Sequence, residues 1–235
     1  MNDNLLYFFG RGSAFTEKHN SAFFINDDEL VLLDCSDYTF QQIRTNKVDL
    51  SNIKKIYVLI THTHGDHING LDILIEYMRF VLHIPVIVVV PSISLLTDIV
   101  YILNILGCSK SWYSIIYCNN LKKEWFISSI RTEHVDQLRF CFGYNLNING
   151  KNVVYTGDTV TLDPYIKYLS KDSYLYTECS YNDSGVHLYI NDVLDKLIQL
   201  SENNVHVYLM HLDDEEKISE MIKDTCIKLA PLYND

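Results

Sequence analysis

The sequence predicts an α/β chain built as a four-layer αββα sandwich, with helices on the outer faces of two packed sheets. Short apolar runs at residues 22–25, 30–33, 56–60, 86–90, 153–155 and 205–210 read as strands, and stretches of helical period separate several of them in both halves. Hydrophobic residues make up 48% of the 235 and charged residues 21%, enough to give such sheets a proper core.

In chain order, the apolar residues 5–9 form a strand that ends in the tight Gly10-Arg11-Gly12-Ser13 loop. The runs 22–25 and 30–33 flank Asn26-Asp27-Asp28-Glu29 as a hairpin. The buried strand 56–60 delivers the chain to a histidine-rich segment. Residues 68–82 then carry Leu71, Leu74, Ile75 and Met78 at helical spacing. A strand at 86–90 follows, with a helix at 92–106 stopped by Gly107. Residues 114–148 alternate enough for several strands, with turns at Asn119-Asn120 and Asp136-Gln137, and Asn149-Gly150 is a hairpin signal. The remainder reads as a helix near 162–169, a strand at 173–177, a helix at 190–200, a strand at 205–210 and a last helix at 214–229. No linker or repeat is visible, so residues 1–235 are expected to form one domain.

A formal net charge of −11 disfavours binding through a broad basic surface, because nucleic-acid affinity runs on phosphate neutralisation by Lys and Arg. A small anion held directly on metal cations is unaffected, since the ion dominates the local field. The six cysteines include no Cys-x-x-Cys pair and read as buried free thiols. Met1-Asn2-Asp3-Asn4 lacks the basic and apolar regions of a signal peptide, and the run at 86–90 is too short for a bilayer. The expectation is a soluble, cytoplasmic protein.

Residues 60–67 read Ile-Thr-His-Thr-His-Gly-Asp-His, placing His62, His64, Asp66 and His67 directly after a buried strand. Three imidazoles and a carboxylate so close are hard to explain as a folding device, and neutral imidazole suits zinc. In an extended segment His62, His64 and Asp66 share one face and His67 points elsewhere, which suits a second metal beside the first. The cluster falls just after a strand, where a rigid scaffold positions loop residues.

The cluster resembles the His-x-His-x-Asp-His signature of the metallo-β-lactamase superfamily, and His134, Asp158 and His211 follow in that family's order. The resemblance implies the metallo-β-lactamase fold and two divalent metals. His62, His64 and His134 would hold the first, Asp66, His67 and His211 the second, with Asp158 bridging. Zinc fits the nitrogen-rich set best, and a mixed His/Asp site also admits manganese or iron. A binding or scaffold module that had lost catalysis would lack ligands, whereas all seven positions are filled.

Further residues resemble the ribonuclease Z-like branch. They are Gly10-Arg11-Gly12-Ser13-Ala14-Phe15 with His19-Asn20-Ser21, Leu33-Asp34-Cys35, Gly143-Tyr144, and Glu178 followed by His187. Ser36 stands where that branch has glycine, and the segment between Glu178 and His187 departs from its pattern. Only 23 residues (135–157) lie between His134 and Asp158 and they read as a hairpin, with no room for the arm that grips transfer RNA. The chain looks most like the compact cyclic-nucleotide phosphodiesterases of this branch, of the phage anti-Pycsar type. The reaction implied is water attack on a small phosphodiester, with Asp66 accepting the water's proton, His187 protonating the departing ribose oxygen and Glu178 orienting His187. The alternatives are a ribonuclease Z-type endoribonuclease acting on transfer RNA, and a carbonyl-directed hydrolase of β-lactams, thioesters or lactones. The resemblance also implies a homodimer.

The remaining candidates have plainer readings. His19 and His83 read as loop or surface residues, and His206 opens its strand at the end opposite His211. Cys179 reads as a small packed residue, the Gly10–Gly12 loop as a tight turn, and Asp213-Asp214-Glu215-Glu216 as a helix N-terminus favoured by the dipole.

Overall fold

The computed structural model describes residues 4–138 and 140–233. Each half of the chain builds one six-stranded sheet. The first contains β1 (Tyr7–Phe8), β2 (Ala22–Asn26), β3 (Glu29–Leu33), β4 (Lys55–Leu59), β5 (Val86–Val90) and β6 (Ser114–Tyr117), in that order. The second runs, from its inner end outward, β7 (Phe126–Thr132), β8 (Cys141–Ile148), β9 (Lys151–Tyr155), β10 (Tyr174–Glu178), β11 (His206–Met210) and β12 (Lys228–Leu229). Hairpins open each sheet, and parallel pairing takes over at β3–β4 and at β9–β10.

The strict alternation of side chains explains the layering. Along β3, β4 and β5, Leu30, Leu32, Ile56, Val58, Val86 and Val88 face one apolar cluster. Their neighbours Val31, Leu33, Tyr57, Leu59, Ile87 and Val89 face another, shared with Tyr144, Leu146, Tyr155 and Tyr176 of the second sheet. The outer face of that sheet buries Val154, Leu175, Val207 and Leu209. Three apolar layers between four layers of structure give the αββα sandwich expected from the sequence. Tyr144 Oη ties the sheets together by donating to Ile60 O at 2.5 Å.

The outer layers differ from the sequence reading in instructive places. Helix α1 (Asp37–Arg44) was not anticipated; Ser36 caps it by accepting from Thr39 N at 3.1 Å. The helix expected at 68–82 is three pieces: α2 (Gly65–Ile68), α3 (Leu71–Tyr77) and a π-helical turn, Met78–Leu82. The break lies at Gly70, whose N–H donates to Cys35 O at 3.0 Å and where a Cβ would run into the Ser36 carbonyl. Helix α4 (Ile93–Ile105) and α6 (Ile190–Glu202) fall where helical period places them. The helix expected at 162–169 shrinks to α5 (Asp163–Ile166), followed by tighter three-residue turns at Tyr168 and Leu169.

The last helix is likewise shorter, α7 (Glu215–Ile222), because Thr225 returns both its N–H and its hydroxyl to Ile222 O. The chain then extends and adds β12 to β11. Asn149 and Gly150 sit at φ 52° and 76°, the left-handed pair a two-residue hairpin turn requires, so β8 passes directly into β9. The buried thiols are as expected except Cys226, which is exposed. Among the described residues no helix is long and apolar enough to cross a membrane.

Gly70 offers a direct check on this packing. A Cβ there would lie 2.2 Å from Ser36 O, a backbone atom that cannot swing aside. Gly70→Ala is therefore expected to cost about 1–3 kcal/mol in urea unfolding, the usual penalty of overpacking. An unchanged denaturation midpoint would contradict the close approach.

Candidate metal centre

Strands β3, β4, β7, β9, β10 and β11 aim their C-terminal ends at one edge of the sandwich. The segments leaving them carry Asp34, the histidine cluster, His134, Asp158 and His211, and Glu178 is the last residue of β10. The cluster changes conformation midway. His62 and His64 are extended, and α2 then winds Asp66 and His67 into a turn. Strict alternation had put Asp66 on the face of His62 and His64; the helical turn instead sets it beside His67 and His211. That matches the grouping implied by the resemblance.

The donor atoms converge. His62 Nε2 lies 3.1 Å from His64 Nδ1, and His134 Nε2 lies 3.4 Å from the same atom. Asp66 Oδ2 lies 3.3 Å from His67 Nε2 and 3.1 Å from His211 Nε2. Asp158 stands between the two sets. Its Oδ2 is 3.8 Å from His62, 3.6 Å from His134 and 3.6 Å from His211, and its Oδ1 is 3.4 Å from His67.

These separations suit divalent ions. A tetrahedral zinc bonded at about 2.0–2.1 Å holds its donors about 3.3 Å apart. His67 Nε2 and Asp158 Oδ1 face each other, buried, with no hydrogen-bond partner, an arrangement that costs stability unless a cation lies among them. The donor set therefore fits the metals that the fold implies.

The outward nitrogens are fixed from behind. His67 Nδ1 is 2.8 Å from Asp34 Oδ2, and Asp34 also accepts from Thr61 N and Thr61 Oγ1, each at 2.7 Å. Thr61 Oγ1 lies 2.9 Å from His62 Nδ1, and Val186 O is 2.6 Å from His134 Nδ1. Such partners choose which ring nitrogen points at the metal. Asp34 and His211 adopt left-handed backbone at φ 66° and 52°, uncommon away from glycine. His211 is held there from the N-terminal loop, where Leu212 N donates to Arg11 O at 2.8 Å and Ser13 N to Leu212 O at 2.9 Å. The glycines let that loop close on itself, since a Cβ on Gly12 would collide with Thr16. Arg11 is engaged with Glu215 and Ala230 O.

Burial pushes His62 well below the ordinary imidazole range, lowers His64, and takes His134 down to about 4, so this set is neutral and ready to ligate. Burial also pushes His67 down, but the Asp158 and Asp34 carboxylates outweigh it and hold the ring well above its ordinary value. A cation arriving beside Asp158 takes the place of that proton. Asp66 and Asp158 are kept ionised by the surrounding imidazoles despite their burial.

Glu178 and His187 stand at the mouth of the centre. Glu178 is fully buried; its Oε2 is 2.8 Å from His187 Nδ1, and its Oε1 accepts the Thr159 amide. His187 Nδ1 lies 4.0 Å from Asp158 Oδ2. Burial pushes Glu178 up and His187 down, yet the bond to Glu178, with the Glu178 and Asp158 charges, raises His187 to about 9. A cleft of about 1090 Å³ opens beside His134, lined by Arg131, Glu133, Asp136, Thr161 and Asp163 among others.

The structure thus brings together all nine sequence-nominated residues. His206 lies at the far end of β11, stacked on Tyr174, and His83 is exposed, both as expected. Sequence reasoning missed Thr61, the Thr159 amide and the Val186 carbonyl, which act through a short side chain or backbone atoms and leave no motif. It also misread Asp213. Asp214 caps α7 by accepting from Lys217 N, while Asp213 turns inward.

Comparison with known proteins places this geometry in context. A family model described as anti-Pycsar protein Apyc1 matches residues 5–98. The anti-Pycsar protein Apyc1 of Bacillus phage BSP38 is 30% identical over 229 residues, covering 87% of each chain. The metallo-β-lactamase fold protein YhfI from Bacillus subtilis superposes with a TM-score of 0.74 at 17% identity, over 96% of this chain and 95% of that one. The short form of human tRNase Z superposes at 0.65 and 17% identity, over 97% and 96%. The fold is that of the metallo-β-lactamases.

Asp34 touches no metal-facing nitrogen, yet it aims His67. Asp34→Asn should leave the protein folded and weaken divalent-metal binding about 10–100-fold, read by competition with a chromophoric chelator. Unaltered affinity would mean that Asp34 does not set the ring.

Proposed function

This chain belongs to the anti-Pycsar Apyc1 family of metal-dependent hydrolases, and on that footing we propose that it is a dinuclear phosphodiesterase acting on cyclic nucleotides. The observation that carries the reading is the His187–Glu178 pair, an imidazole held 2.8 Å from the Glu178 carboxylate and 4.0 Å from the carboxylate that stands between the two donor sets. Residues 1–235 act as one hydrolase domain, and two copies associate as the family resemblance implies.

His62, His64 and His134 would hold one ion, and Asp66, His67 and His211 the other, with Asp158 between them; zinc suits this set best. Bound there, the ions supply positive charge to the phosphate and make water acidic enough to ionise near neutral pH. The chain does the rest. Asp66 is the carboxylate assigned to accept the attacking water's proton. With Nδ1 engaged by Glu178, His187 gives the proton on Nε2 to the ribose oxygen as its bond to phosphorus breaks. A new phosphorus–oxygen bond from water replaces it, and a linear nucleoside monophosphate leaves. Glu178 does not move, because the Thr159 amide holds its other oxygen.

The cleft beside His134 is large enough for a nucleotide. Its carboxylates, the net charge of −11 and the direct β8–β9 turn disfavour a long polyanion.

His187→Ala should lower kcat on a cyclic nucleotide about 10²–10⁴-fold. It should lower the rate far less on bis-p-nitrophenyl phosphate, whose leaving group departs without a proton. Equal losses on both substrates would remove His187 from that role. In a head-to-head assay of 2′,3′- and 3′,5′-cyclic nucleotides, precursor transfer RNA and a β-lactam, the cyclic nucleotides should be cleaved fastest. Faster cleavage of transfer RNA or the β-lactam would overturn the substrate reading.

A further inference from the structure

The segment between β10 and α6 carries two functional groups on a short irregular stretch: Val186, whose carbonyl meets His134, and His187. Its own bonding is slight. Ser180 N donates to Leu188 O at 2.8 Å and Ile190 N to Ser180 O at 2.9 Å, closing the loop at its base. Gly185 N reaches Asp183 Oδ1 at 3.2 Å, and Val186 N reaches Ser184 Oγ at 3.4 Å. Nothing in that local set fixes the loop relative to the donor atoms of the centre.

Asp213 adds an anchor at the start of the loop, beyond the Val186 O–His134 and His187–Glu178 contacts at its far end. It lies two residues beyond His211, and its carboxylate collects the start of the loop. Oδ1 accepts from Tyr181 N at 2.6 Å. Oδ2 accepts from Asn182 N at 3.0 Å and Asn182 Nδ2 at 2.8 Å, and lies 2.9 Å from Ser180 Oγ. The Ser180 hydroxyl hydrogen is shared with Asn182 O at 2.7 Å. Two backbone amides and two side chains thus converge on one anion, the arrangement in which hydrogen bonds are strongest. Lys217 does not compete for it; its ammonium pairs with Asp214 at 2.9 Å and lies over the Tyr181 ring.

We propose that Asp213 is a positioning residue for catalysis: it locks the 180–187 loop to the strand end bearing His211, so that His187 is held at the centre. The inference rests on the reading of His187 as proton donor. It assigns Asp213 no contact with substrate or metal. A misplacement of about 1 Å in such a group costs on the order of 10²-fold in rate.

The test is a double-mutant cycle of Asp213→Asn with His187→Ala on a cyclic nucleotide under saturating metal. Hydrogen–deuterium exchange of the 180–188 segment provides a readout independent of activity. Asn keeps the shape but turns an N–H₂ toward the donors. Asp213→Asn alone should lower kcat about 10–100-fold with KM within about threefold, and should speed exchange in the loop. In the His187→Ala background the same substitution should cost less than about threefold, because the group it positions is gone. Equal losses in both backgrounds, or exchange unchanged from wild type, would overturn the clamp while leaving the proton-donor reading intact. Full activity of His187→Ala alone would instead strike that reading, and the inference with it. Should Asp213→Asn fail to fold, Asn182→Ala removes one donor and keeps the carboxylate. It should show the same coupling to His187 at a smaller amplitude, and purely additive losses would count against the clamp.

Discussion

Asp158 is 2% exposed, and imidazole nitrogens from His62, His67, His134 and His211 all stand within 3.8 Å of its oxygens. A carboxylate buried this deeply is tolerable only beside positive charge. The nearest source within the chain is a proton on His67, which the Asp158 and Asp34 charges favour against burial. Divalent cations answer the same requirement better, because they use the nitrogens of both sets at once. Much of the local architecture follows from that demand: the rings must converge, and each must present the correct nitrogen.

The sandwich meets the demand by directing strand ends. In each sheet the parallel strands deliver their C-termini to the same edge, and the two sheets meet there through Tyr144 on Ile60 and Phe142 N on Thr61 O. The ligands come from both halves of the chain, so the centre exists only when both sheets are packed. Behind them lies a ring of groups that touch no substrate. Asp34, Thr61 and Val186 O aim rings, the Thr159 amide aims Glu178, and the glycine loop holds His211 in left-handed backbone. The proposed chemistry depends on these supports as much as on the ligands, since a proton donor or metal ligand works only in one orientation.

Much of this was legible in the sequence. The continuous apolar runs at β3, β4 and β5 announced sheets buried on both faces, and the cluster at 62–67 announced metal. Asn149-Gly150 gave the hairpin that stands where a longer arm would be. His134, Asp158 and His211 were weaker as isolated residues and became convincing only through their order along the chain. Other features had no local signal. Gly70 breaks its helix where the Ser36 backbone, 34 positions earlier, leaves no room for a Cβ, and periodicity cannot see that neighbour. The helix expected to reach 229 ends at Ile222, where Thr225 turns its N–H and hydroxyl back to the Ile222 carbonyl, and Lys228 and Leu229 pair with β11 instead. Asp213 sits in an acidic run that looks like a helix start, and its partners are at 180–182. Strict alternation put Asp66 on the wrong face because it assumed extended backbone through a residue that begins a helix.

The claim on which the rest stands is that Asp158 is shared by two cations. Native mass spectrometry of the protein loaded with zinc, beside an Asp158→Ala variant, measures this directly. The account predicts two ions per wild-type chain and fewer than two in the variant. A single ion in the wild type, or two retained without Asp158, would contradict it.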